Sequence, residues 1–158
     1  MSKSLARVLA DADARGIAIE AQRLDDGTKT AAAAAAAVGA TADQIVKSVI
    51  LRVAADAEHL LFLTAGGNQV DLDRAAKVAG VPLEKADAAS IRAVTGFAIG
   101  GVSPFGHKTP LRVFLDPMML EFATVWAAAG TPHHVFEIAP DTLRKATGAR
   151  VADFTAAR

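Results

Sequence analysis

The chain has 158 residues, 52% hydrophobic and 22% charged, a globular composition with enough apolar material for a sizeable, mostly aliphatic core. Seventeen basic residues balance seventeen acidic ones, so the chain cannot neutralise a long run of phosphates, and DNA wrapping is excluded while a contact with one nucleic-acid end is not. With no cysteine there are no disulfides, thiolate zinc sites or cysteine nucleophiles, and neither a signal peptide nor a bilayer-spanning run is visible, so one soluble cytoplasmic domain over residues 1–158 is expected, with no membrane partner.

Ser4 to Ala14 has the period of an amphipathic helix, with Leu5, Val8, Leu9 and Ala12 on one face and Gly16 as its stop. Ile17 to Leu24 alternates like a short strand. Thr30 can cap a helix over Ala31 to Val38, which Gly39 ends. Thr41-Ala42-Asp43-Gln44 is a capping-box pattern opening a further short helix. It runs into a β-branched strand, Val46 to Val53, and a hairpin connection leads to a second strand, Leu60 to Thr64. Asp71 or Asp73 caps a helix through Val78, closed by Gly80, and another short helix covers Ala88 to Val94. A glycine-rich loop follows, then strand Leu111 to Leu115, and Asp116-Pro117 starts a helix. Val125 to Ala128 and His134 to Ile138 read as strands and Pro140 to Thr147 as the last helix. Helices and strands mix without strict alternation. That predicts an α/β (α+β) fold with a central mixed, largely antiparallel sheet surrounded by helices.

The loop Gly100-Gly101-Val102-Ser103-Pro104-Phe105-Gly106-His107-Lys108 concentrates residues that build sites. Paired glycines open backbone dihedrals closed to other residues and let a ligand approach the main chain. Pro104 fixes its own φ and pushes Ser103 away from helical geometry, so the loop should hold one shape. Its N–H groups could receive a carbonyl or a developing oxyanion. The same composition also suits an ordinary tight connection. It lacks the closing Gly-Lys-Ser/Thr of a phosphate loop, and Ser103 lacks the Gly-x-Ser-x-Gly setting of a serine nucleophile.

Lys47 is the second candidate. It sits in an apolar segment, sharing a strand face with Ile45, Val49 and Leu51, where a charge needs a partner, a ligand or an outlet to water. Adjacent His133 and His134 point to opposite faces of a strand and cannot chelate one metal together. No His-x-x-x-His or carboxylate-flanked pair has metal spacing, so no metal or cofactor is expected. His107 or His134 could orient a substrate or a water, and Asp71, Asp73 and Asp116 read as helix caps.

The order of these features resembles the YbaK-like aminoacyl-tRNA deacylases, relatives of the editing domain of bacterial prolyl-tRNA synthetase. The resemblance spans nearly the whole chain: the Thr30 alanine helix, Gln44-Ile45-Val46-Lys47-Ser48, Val70-Asp71, Thr95-Gly96, and a Gly-x-x-x-Pro loop at Gly100 to Pro104. It implies hydrolysis of the ester joining a wrong amino acid to the terminal adenosine of a tRNA. Gly100 and Gly101 would hold the scissile carbonyl through backbone N–H groups, and Lys47 would anchor the substrate. Water would attack, assisted by the terminal hydroxyl of the tRNA itself. Val102, Ser103, Pro104, Phe105, His107 and His134 would line the substrate site. The acceptor end of an aminoacyl-tRNA is the implied partner, with an aminoacyl-tRNA synthetase as a second. Two other functions fit the same residues: a module that captures tRNA ends without turnover, and a hydrolase of another small ester or amide.

Overall fold

The structure, a computed structural model, describes residues 2–25 and 30–158. Helix α1 (Lys3–Ala14) begins where the Ser2 hydroxyl accepts the Leu5 N–H at 3.0 Å, and it buries Leu5, Val8 and Ala12. The alternation in Ile17 to Leu24 is real but forms little ladder. Ile17, Ile19 and Ala21 pack against the core in turn, yet only β1 (Gln22–Arg23) finds a partner strand. Helix α2 (Ala31–Val38) is capped by Thr30, whose hydroxyl accepts the Ala33 N–H at 3.0 Å, and ends at left-handed Gly39. Gln44 Oε1 accepts the Thr41 N–H at 3.0 Å, and the short helix there is a 3-10 turn, Ala42–Gln44.

Strand β2 (Val46–Val53) pairs antiparallel with β3 (His59–Ala65), in register from Val46 against Ala65 to Arg52 against His59. Helix α3 (Leu72–Ala79) is capped by Asp71 rather than Asp73, through the Arg74 N–H at 3.0 Å. A strand without a clear sequence signal, β4 (Leu83–Lys85), then pairs with the far end of β2. Helix α4 (Ala88–Thr95), the glycine loop and β5 (Arg112–Leu115) follow, β5 running parallel to β3. Asp116 starts a 3-10 turn, Pro117–Glu121. Strands β6 (Val125–Ala128) and β7 (His134–Ile138) pair antiparallel. After α5 (Pro140–Thr147) the chain closes with β8 (Arg150–Val151), parallel to β5.

Among the described residues the fold is thus mixed α/β with two sheets rather than one: a five-stranded sheet in the order β4-β2-β3-β5-β8 and a three-stranded sheet β1-β7-β6. The larger sheet is mixed, antiparallel on one side of β3 and parallel on the other. Period-2 alternation gives it two buried faces. Val46, Ile50, Leu61, Leu63 and Leu115 meet α1, Phe97, Phe105 and Phe136. On the other face Leu51, Leu60, Phe62 and Phe114 meet Ala75 of α3 and Phe154, with the Phe62 and Phe114 rings stacked at 4.8 Å. A third cluster seats Ala34 and Ala35 of α2 on Ile45, Trp126 and Val135. Alanine is what lets this helix lie close against the smaller sheet.

Candidate functional site

Beyond the shared core, a parallel bridge between Ile45 and Trp126 links the start of β2 to the smaller sheet. Strand β4 covers only Leu51 to Val53 of β2, so the outer edge of β2 before Leu51 faces the gap between the sheets. That gap is a cleft of about 360 Å³, a size suited to a small ligand or one end of a larger one. Its floor is the edge of β2 at Val46, Lys47, Ser48 and Val49. One wall is the start of α2 at Thr30, Ala31 and Ala34, and the other is Trp126, Ala127 and Val135 of the smaller sheet. The glycine loop closes it with Ile99, Gly100 and Val102. Ile99 is 63% exposed at this rim, a costly place for a large apolar side chain unless something packs there.

Lys47 lies half-buried on the same strand face as Val49 and Leu51, opposite Thr64. Its ammonium donates to the backbone carbonyl of Asn68. Asn68 is buried and acts as a hub. Its Nδ2 donates to Asp116 Oδ2 at 2.8 Å, and its Oδ1 accepts from Arg158 Nε at 2.6 Å. Asp116, also buried, is more than a cap: Oδ1 accepts the Met118 N–H at 3.0 Å while Oδ2 accepts the Ala65 N–H at 3.1 Å. Arg158 is held by an ion pair with Asp43 at 2.5 Å. Burial lowers the Lys47 pKa, the Arg158 charge lowers it further, and Asp116 opposes both.

The loop enters the cleft through a tight turn in which the Gly101 N–H donates to the Ala98 carbonyl at 3.0 Å. Gly100 occupies the third position of that turn at φ +91°, where glycine is strongly favoured. Gly101 is required for a different reason. A Cβ there would lie 2.9 Å from the Thr131 Cα and 3.0 Å from the Gly130 carbonyl oxygen. Among the described residues the N–H groups of Gly100 and Val102 have no acceptor, whereas that of Gly101 is used by the turn.

Of the residues singled out from sequence, Lys47, Gly100 and Val102 line the cleft and Gly101 braces its loop. The second half of the loop turns away. The Ser103 hydroxyl is fully buried and accepts the Phe105 N–H at 3.3 Å. Phe105 is a core residue, its ring 5.8 Å from that of Phe136. Pro104 and His107 line a second cavity of about 440 Å³ behind the loop, with Arg7, Asp11 and Arg15. His107 Nε2 lies 2.5 Å from the Ser103 carbonyl oxygen, and burial pushes its pKa down. His134 Nδ1 contacts the Thr131 hydroxyl at 2.6 Å, one residue before Val135 of the cleft wall. Among the described residues no group of three His, Asp or Glu side chains converges. Sequence reasoning missed Asn68 and Trp126. The only tryptophan was a usable signal; a lone asparagine after two glycines was not.

A cleft with apolar walls, one cation and loop N–H groups without an acceptor among the described residues can hold a compact acyl group and polarise its carbonyl. The model of the aminoacyl-tRNA editing domain matches residues 25–146. The chain belongs to the aminoacyl-tRNA editing domain family. A solved structure described as a candidate trans-editing enzyme for prolyl-tRNA synthetase superposes with a TM-score of 0.93 at 42% identity, covering 99% of each chain. The uncharacterised protein YwhH of Bacillus subtilis (strain 168) is 28% identical over 127 residues, 80% of each chain. EbsC of Enterococcus faecalis (strain ATCC 700802 / V583), named as a candidate Cys-tRNA(Pro)/Cys-tRNA(Cys) deacylase, is 28% identical over 91 residues, 57% of this chain and 56% of EbsC. The resemblance read from the sequence is therefore a family relationship. Among the described residues no helix of this editing domain is long and apolar enough to cross a membrane.

Proposed function

We propose that the cleft receives the aminoacyl end of a mischarged tRNA and hydrolyses its ester in trans, the whole of residues 1–158 working as one cytoplasmic domain. Family membership carries the reaction class, aminoacyl-tRNA deacylation. The finer reading rests on one observation: Lys47 and the loop residues Gly100 and Val102, distant in the chain from Lys47, line the same small cleft.

The Gly100 and Val102 N–H groups receive the scissile carbonyl oxygen, and Gly101 supports them by fixing the turn. Lys47 presents its charge to the acceptor-end phosphate or carbonyl. Water adds to the carbonyl carbon and the bond to the ribose oxygen breaks. The proton from water ends on that oxygen, helped by the neighbouring ribose hydroxyl, and free amino acid and uncharged tRNA leave. Stabilising the oxyanion and holding the reactants supply the rate, and neither needs an acid or base side chain.

The test is release of labelled amino acid from a panel of mischarged tRNAs, set beside retention of the same tRNAs on filters. Release faster than the spontaneous rate for at least one pair supports the reading. Retention without release across the panel makes the protein a capture module instead.

A further inference from the structure

We propose that helix α1 sets the shape of the site loop from behind, with Asp11 and Arg7 as positioning residues that clasp Gly106. The proposal rests on the loop's role in the proposed function. Helix α1 precedes residues 25–146, the span matched by the editing-domain model.

Both backbone groups of Gly106 are taken by side chains one helical turn apart. Its N–H donates to Asp11 Oδ2 at 2.7 Å, and its carbonyl accepts from Arg7 Nε at 3.1 Å. Each clasping side chain is itself held. The Arg7 guanidinium lies 4.8 Å from the Phe97 ring centroid, and Arg15 Nε pairs with Asp11 Oδ1 at 3.1 Å. Burial raises the Asp11 pKa, but the Gly106 N–H and Arg15 outweigh it and leave the carboxyl below its ordinary value.

The approach is backbone to backbone. A Cβ on Gly106 would stand 3.0 Å from the Arg7 carbonyl carbon and the Val8 nitrogen, and one on Gly130 would stand 2.7 Å from the Ser4 carbonyl oxygen. Gly130 in turn abuts Gly101. Helix, turn and loop are thus stacked, with α1 supporting the loop directly at Gly106 and through Gly130 at Gly101. Pro104 and the buried Ser103–His107 contact stiffen the span between those supports. Displacing Gly106 therefore displaces the loop N–H groups in the cleft.

The experiment measures amide exchange and steady-state deacylation in Asp11→Ala, Asp11→Asn and Arg7→Met. We expect the Gly101 and Gly106 amides of Asp11→Ala to exchange about tenfold faster, while β3 amides keep their protection. We also expect kcat to fall about tenfold with KM within twofold, and Asp11→Asn, which keeps an acceptor oxygen, to recover most of both. Arg7→Met, which keeps the stem but not the donor, should reproduce the effect should Asp11→Ala fold poorly. Unchanged Gly101 exchange, or a uniform loss of protection reaching β3, overturns the clasp. A wild-type protein inactive on every tRNA would sink the deacylase reading alone, and the exchange data would still decide the clasp.

Discussion

Lys47 carries its charge where burial and Arg158 both work against it. If the protonated form anchors substrate, activity is lost as pH rises through a pKa below the ordinary 10.5. Arg158→Gln removes the repelling cation, so the alkaline limb of the kcat/KM profile, corrected for spontaneous hydrolysis, should move to higher pH. A limb that stays in place would show that Lys47 does not set it. For folding, the cost of the buried charge is fully present below the lowered pKa and vanishes as pH rises from there to 10.5. The loop makes a second contrast at this scale. Gly100→Ala must hold a Cβ at φ +91° and should lose on the order of a hundredfold in kcat, about what one oxyanion donor supplies. Ser103→Ala should keep most of its rate, because its hydroxyl is sealed in the core. An inactive but folded Ser103→Ala enzyme, or an acyl group trapped on Ser103, would replace water attack with covalent catalysis.

Elements with a strong local pattern were legible in the sequence. Strands β2, β6 and β7 and helices α2 and α5 fall where β-branched runs, caps and Pro140 place them. Strands β4 and β8 were not legible, being too short to carry a period and existing only through the neighbours they pair with. The site divided in the same way. Lys47 was visible as a charge in an apolar strand, and Gly100 as a loop glycine. Which half of the loop faces the cleft depends on packing against α1, and that is a tertiary fact. The Asn68 hub was invisible because its meaning lies in partners 48 and 90 residues away. It yields a stability prediction. Asn68→Ala leaves the buried Asp116 carboxylate without its side-chain donor, which should cost about 1–3 kcal/mol in denaturant unfolding. A variant within experimental error of wild type would mean that the Ala65 and Met118 N–H groups satisfy Asp116 by themselves.

Charge balance over the whole molecule limits how it can hold a tRNA. The 17 basic and 17 acidic residues sum to zero, and many of the cations are already paired: Arg52 with Glu84, Arg112 with Glu58, Arg144 with Asp141, Arg158 with Asp43. Each phosphate neutralised on single-stranded nucleic acid contributes about 0.7 to the slope of log affinity against log salt. A protein that grips only the unpaired acceptor end engages two or three phosphates, which gives a slope of roughly −2. A protein lying along the acceptor stem would show a far steeper dependence. We therefore expect the KM for a mischarged tRNA to rise gently with salt, and a minihelix with the same acceptor end to be hydrolysed nearly as well as the full tRNA. A slope steeper than about −5, or a minihelix turned over at a small fraction of the tRNA rate, would contradict this. Either result would mean that the body of the tRNA, or a synthetase presenting it, supplies binding that this neutral surface lacks.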